Sequence, residues 1–194
     1  DAATRKEIRS NFILNNNILS YNIGLPSGSG EGNAPAFIID PVLNWATYYG
    51  DTGMGATSVV VDTFNNIYLA GFTGSQTNIA TGGSYQNSLS SDPDAFLVKF
   101  SNAGTRLWGT YYGGTGNDAF QTLVCDGSNI YAAGETGSTG MASTGSHQTT
   151  YGGGTWDGIL VKFNSSGTRQ WATYYGGSGL DRIFAAACDH AGNV

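Results

Sequence analysis

Apolar residues in this chain come in short bursts separated by clusters of Gly, Ser, Thr, Asn and Asp. Ser58-Val-Val-Val61, Ile67-Tyr-Leu-Ala70, Ala95 to Phe100 and Arg106 to Tyr112 are each four to seven residues long, the length of a strand. Turn residues bound them, as in Asp126-Gly-Ser-Asn129, Asn102-Ala-Gly104 and Ser165-Ser-Gly167. No window sustains a helical period. Alternation along Arg106 to Tyr112 sends Trp108 and Tyr112 to one side and Leu107 and Tyr111 to the other, so both faces of this strand call for cover.

The bursts recur. Trp45-Ala-Thr-Tyr-Tyr-Gly50, Trp108-Gly-Thr-Tyr-Tyr-Gly113 and Trp171-Ala-Thr-Tyr-Tyr-Gly176 are spaced by 63 residues. Asn66-Ile-Tyr-Leu-Ala-Gly71 returns as Asn129-Ile-Tyr-Ala-Ala-Gly134, and Asp94-Ala-Phe-Leu-Val-Lys-Phe100 as Asp157-Gly-Ile-Leu-Val-Lys-Phe163. Each unit reads as four strands. The first is Ser58–Val61, Thr122–Cys125 or Ala185–Cys188, and the second is Ile67–Ala70 or Ile130–Ala133. A long Gly/Ser/Thr-rich loop, Gly74 to Pro93 or Glu135 to Thr155, leads to the third at Ala95–Phe100 or Gly158–Phe163; the fourth is Arg106–Tyr112 or Arg169–Tyr175.

Four antiparallel strands repeated at a fixed period of tens of residues predict an all-β fold, a β-propeller of four-stranded blades. A β-sandwich also uses short strands but gives no reason for a strict period. Residues 56–112 and 119–175 make two blades, residues 182–194 begin a third, and Val42 to Tyr49 is left as a latch strand. Closure takes roughly 4 to 8 blades, so the propeller is incomplete in this chain. The reading expects blades beyond Val194, or other chains, to close the ring. The first residue is Asp1, so the sequence reads as a mature or cut-out piece from which any targeting signal has been lost.

Composition narrows the class further. There are 30 glycines in 194 residues, only 11% charged residues and 12% aromatics, which argues against helical bundles and against disorder. No apolar run approaches the ~20 residues of a membrane-spanning helix. The net charge is −6, and three of the eight cations (Arg5, Lys6, Arg9) cluster at the start. No basic stripe remains to neutralise phosphates, which excludes the usual nucleic-acid footprint. Cys125 and Cys188 sit 63 apart and outside any metal-spaced cluster, reading as two buried small side chains.

Thr173-Tyr-Tyr-Gly-Gly-Ser-Gly-Leu-Asp181, the Asn-Ile-Tyr second strands, Tyr151-Gly-Gly-Gly-Thr-Trp-Asp157 and Leu160-Val-Lys-Phe-Asn164 resemble the bacterial SBBP-type β-propeller repeat. The resemblance covers about residues 42 to 194. It implies that residues 1–41 are the tail of an upstream β-rich domain plus a linker, with Ile18–Ile23 as a strand, Pro26 to Pro35 as the loop, and Phe37 to Leu43 leading into the first repeat. It further implies a secreted or outer-surface bacterial protein, in a family not defined by a catalytic activity.

The candidate chemistry is sparse. Gly113-Gly-Thr-Gly-Asn-Asp118 and Gly176-Gly-Ser-Gly-Leu-Asp181 fit the start of the calcium-binding nonapeptide GGxGxDxUx, making Asp118 and Asp181 calcium candidates. That site needs tandem copies every nine residues, and these are 63 apart. A tight loop in which Asp bonds loop amides is the stronger reading, and no cofactor is expected. Lys99 and Lys162, in register, read as solvated or paired across strands. His147 and His190 occupy unrelated positions with no nucleophile pattern nearby, so no catalytic residue is expected. Trp156 breaks the repeat near the end of a long loop, where an aromatic ring can stack on a sugar or anchor a partner. With Tyr151, His147 and Tyr85 from the same class of loop, it forms the candidate ligand-binding set. The function expected is a non-catalytic binding or scaffold module for a protein or glycan at the cell surface. The alternative is a carbohydrate-active hydrolase or lyase with paired carboxylates at the channel mouth.

Overall fold

The computed structural model describes residues 10–15, 18–23, 44–51, 53–91, 93–189 and 191–194. The chain divides into two compact units, Asp1–Val42 and Leu43–Val194. In the first, β1 (Ser10–Asn15) pairs antiparallel with β2 (Ile18–Ile23), Ser10 opposite Ile23 and Asn15 opposite Ile18. The strand expected at Ile18–Ile23 is therefore formed. The linker Pro26 to Pro35 and the segment Phe37 to Leu43 lie outside the described residues, as does His190.

The second unit holds eight strands in two four-stranded antiparallel sheets. One contains β3 (Met54–Val61), β4 (Ile67–Thr73), β5 (Asp94–Phe100) and β6 (Arg106–Tyr112); the other contains β7 (Asp118–Cys125), β8 (Asn129–Thr136), β9 (Asp157–Asn164) and β10 (Arg169–Tyr175). Each is a simple meander in chain order. Among the described residues the protein is all-β, and no helix is long and apolar enough to cross a membrane.

Strands β3 and β7 begin earlier than their apolar cores foretell. Each carries a register shift, between Ala56 and Ser58 in β3 and between Phe120 and Thr122 in β7. The shift lets the ladder run on through polar residues. It frees Thr57 to donate to the Phe120 carbonyl at 2.6 Å, tying the two sheets together.

The sheets pack through different faces. Tyr68, Ala70, Ala95, Leu97 and Tyr112 of the first sheet share one core with Ile130, Ala132, Ile159, Val161 and Phe163 of the second. The opposite face of the first sheet, with Phe96, Val98, Phe100 and Tyr111, is covered by Tyr49 and the loop residues Ile79 and Leu89. All seven residues of β5 are buried as a result. Phe120 and Phe163 are fully buried at the junction, each contributing about 1.5–3 kcal/mol relative to exposure. Leu107 departs from the expected cover on both faces of its strand, at 48% exposed.

Polar stitches reinforce the junction. Trp108 Nε1 donates to the Ser165 carbonyl at 3.1 Å, and Lys99 Nζ reaches the same oxygen at 3.2 Å. Lys99 is buried, paired with Asp62 at 3.5 Å and placed over the Tyr68 ring. Trp45 repeats the Trp108 contact by donating to the Asn102 carbonyl at 2.9 Å. Of the latch strand expected at 42–49, the described residues 44–49 nevertheless form no strand. A strand exists by pairing, and this segment is held by side chains instead: Trp45, and Tyr49 whose hydroxyl donates to Ile79 O. Residues 185–188 likewise form no strand. Cys125 and Cys188 are free thiols, half-buried rather than fully so.

Candidate functional site

Strands β4, β6, β8 and β10 end where β5, β7 and β9 begin, so the long loops and the inter-sheet loops gather at one end of the sheets. Asp118 N donates to Pro93 O at 2.9 Å and Asp181 N to Trp156 O at 2.8 Å, locking these loops together. Between the sheets lies a pocket of about 170 Å³. Phe72, Pro93 and Trp156 form its apolar walls, while Asn117, Gln121 and Glu135 supply polar groups.

Trp156 is half-buried, and the Arg182 guanidinium lies over its ring at 4.1 Å. Arg182 Nε also stands 3.3 Å from Glu135 Oε2. That approach is an ion pair without hydrogen-bond geometry, since both atoms are buried and lack a directed partner. Gln121 Nε2 donates to the other carboxylate oxygen of Glu135 at 3.4 Å. An aromatic plate, a cation and an amide around a carboxylate suit recognition of a polar ligand with an apolar face, such as a sugar ring.

Of the other residues singled out in sequence, Asp118 also lines this pocket, whereas His147, Tyr151 and Tyr85 do not. His147 is exposed, stacked on Tyr175 at 5.9 Å, and lines a separate pocket of about 360 Å³ with Trp171 and Thr173. Tyr151 turns inward, its hydroxyl donating to Gly154 O at 3.1 Å and its ring meeting Tyr174 edge-on. Tyr85 stacks on Tyr112 at 5.6 Å with the Arg169 guanidinium over it at 4.7 Å, bridging the two sheets.

Asp118 is buried, and its carboxylate accepts from Gly114 N at 2.9 Å, from Ser138 Oγ at 2.7 Å and from Thr136 Oγ1. Burial pushes its pKa up, those hydrogen bonds oppose the rise, and the nearby charge of Asp94 adds to it. Asp94 is raised by burial as well, against donation from Ser90, Ser91 and Gln86. Asp181 is half-buried and accepts from Gly177 N at 2.9 Å. Among the described residues no group of three or more His, Cys, Asp or Glu side chains is placed to hold a metal ion.

Glu135, Gln121 and Arg182 were missed in sequence, yet a signal was there. Glu135 stands 63 residues after Phe72, and Arg182 63 after Ala119. Trp156 itself follows Pro93 by the same interval. Positions where the copies disagree in chemistry are released from shared packing duty, and these come together in space.

The fold and the pocket define an all-β protein whose two meander sheets present a loop-lined recess. Neither models of protein families nor curated proteins provide a match to the sequence.

Proposed function

We propose that this chain is part of a β-propeller with a 63-residue blade period, incomplete over residues 42–194, acting as a non-catalytic binding or scaffold module. The head-to-tail packing supports the propeller. The first sheet uses its Tyr68 face at the junction, and the second uses the face that numerically matches the first sheet's opposite side. Heterologous packing of this kind propagates until a rotation closes the ring. The setting proposed, from resemblance to SBBP-type repeats, is the outer surface of a bacterial cell, with a glycan or protein as ligand.

The observation that carries the binding role is the pocket beside Trp156, built from residues that break the repeat. A hydrolase or lyase would need carboxylates available to substrate. Asp94 and Asp118 are buried and taken up by protein donors, and Glu135 in the pocket is paired with Arg182 and Gln121, which supports binding instead. The test is a glycan array probed with the protein and with Trp156→Ala. The expected result is a set of sugar hits weakened on the order of tenfold or more in the variant, as for an aromatic hot spot. Hits unchanged by the substitution would remove Trp156 from the site, and an array without hits would leave a protein ligand to be sought by crosslinking through this pocket.

A further inference from the structure

Asp94 and Asp157 begin equivalent strands, and both are fully buried. Their carboxylates are treated very differently. Asp94 Oδ1 accepts from Ser91 N and Ser91 Oγ at 3.1 and 3.0 Å, while Oδ2 accepts from Ser90 N and Gln86 Nε2 at 2.7 and 2.9 Å. The second loop replaces the two serines with Gly152-Gly153-Gly154. Gly152 N takes over the Ser90 role, donating to Asp157 Oδ2 at 2.5 Å. No hydroxyl replaces that of Ser91, and Gln148 Nε2 keeps the bond to Thr150 O at 3.0 Å that matches Gln86 Nε2 to Ser88 O, without the further bond that Gln86 gives Asp94. Asp157 Oδ1 is left buried without a hydrogen-bond partner, a costly state for a carboxylate oxygen.

This orphaned oxygen faces a second carboxylate. A Cβ built on Gly176 would stand 3.0 Å from Asp157 Oδ1 and 3.0 Å from Asp181 Oδ2. Both carboxylates therefore border the space left by a residue with no side chain. The cation next in sequence, Arg182, is committed to Glu135 and Trp156. Carbonyl oxygens of Gly176 and Gly177 crowd Gly152, within 2.9 and 2.6 Å of where its Cβ would lie. Gly152 N donates to Asp157 Oδ2 and Gly177 N to Asp181 Oδ2 at 2.9 Å, leaving Asp157 Oδ1 unmatched among these carbonyl and carboxylate oxygens.

We propose that Asp157 and Asp181 bind a calcium ion at this inter-strand junction. Calcium takes six to eight oxygen ligands at flexible angles, including carboxylates, backbone carbonyls and water. Magnesium demands a near-ideal octahedron that glycine-rich loops are less suited to enforce. The sequence motif pointed to Asp118 and Asp181; in the structure Asp118 accepts from Gly114, Thr136 and Ser138, whereas Asp181 keeps only the equivalent backbone bond, from Gly177 N, and stands near Asp157. The first sheet shows the alternative solution, in which serines and a glutamine satisfy the equivalent acid.

Trp156 precedes Asp157 in the chain, so its indole can sensitise terbium bound at the site. The experiment titrates the protein with terbium under tryptophan excitation and then competes with calcium. Saturable emission displaced by calcium is expected, together with a rise in thermal midpoint on adding calcium. Asp157→Asn and Asp181→Asn are each expected to weaken binding on the order of tenfold or more, while Asp51→Asn, at an exposed loop position, leaves it unchanged. Circular dichroism checks the fold; if Asp157→Asn fails to fold, the half-buried Asp181→Asn decides. The proposal is overturned if the wild type gives no saturable emission at millimolar terbium, if calcium does not compete, or if a folded Asp181→Asn protein binds as the wild type does.

Discussion

Gly104 and Gly167 show how a single residue fixes a local shape. Both take positive φ, 78° and 84°, in the turns before β6 and β10. Each also lies under an indole: a Cβ would come within 2.7 Å of the Trp45 ring at Gly104 and 3.0 Å of the Trp108 ring at Gly167. Gly167→Ala is expected to destabilise the protein by about 1–2 kcal/mol through the left-handed backbone alone, read as a lower urea midpoint. Asp126 offers a second handle. Burial raises its pKa, but hydrogen bonds from Asn129, Ser128 and Tyr131 outweigh that and hold it at about 2. A carboxylate depressed in the folded state stabilises above its unfolded pKa of ~4 and loses that contribution as pH falls through the folded value. Its share is about 1 kcal/mol at most once solvent screening is allowed for. Denaturation curves between pH 5 and about 2 should flatten in Asp126→Asn; an unchanged slope would show that the turn does not carry it. Asp94 and Asp118 act in the opposite sense, since burial raises them and their cost grows as pH rises through their folded values.

At the scale of elements, tyrosine hydroxyls hold the long loops to the strands. Tyr174 OH donates to Ser138 O at 2.7 Å and accepts from Met141 N at 2.9 Å, all buried. Tyr111 OH makes the matching bond to Ser75 O at 2.7 Å. Tyr174→Phe leaves Ser138 O and Met141 N without this partner and is expected to cost about 1–3 kcal/mol. Tyr85→Phe is expected to stay within ~0.5 kcal/mol, because Tyr85 works through its ring, stacked on Tyr112 and under Arg169. Thermal unfolding of the two variants side by side separates these roles. The strands were legible because apolar runs and turn residues alternate at short range. The early starts of β3 and β7 were not, because Asp118, Gln121 and Thr57 join their strands to serve loops and the neighbouring sheet. Residues 44–50 and 185–188 carry strand-like sequence but find no ladder, which only three dimensions reveal.

At the scale of the molecule, the recess beside Trp156 was half legible. An aromatic ring out of register with the repeat could be seen in the sequence, whereas its partners come from three other elements and meet only when the sheets stack. The same stacking makes the two sheets energetically one body, because neither owns its core: Tyr112 of β6 lies on Phe120 of β7 at 5.4 Å and edge-on to Phe163 of β9 at 5.9 Å. Phe120→Ala empties the centre of that cluster and is expected to cost about 3–5 kcal/mol. If the core is shared, hydrogen exchange should speed up equally for amides of β5 and β9, although the substitution lies in neither strand. Unfolding followed by tryptophan fluorescence and by far-ultraviolet dichroism should then shift to one lower midpoint together. Retained protection in β5 with loss confined to β7–β10 would mean that the sheets fold as separate units, and the head-to-tail junction would no longer support the proposed propeller.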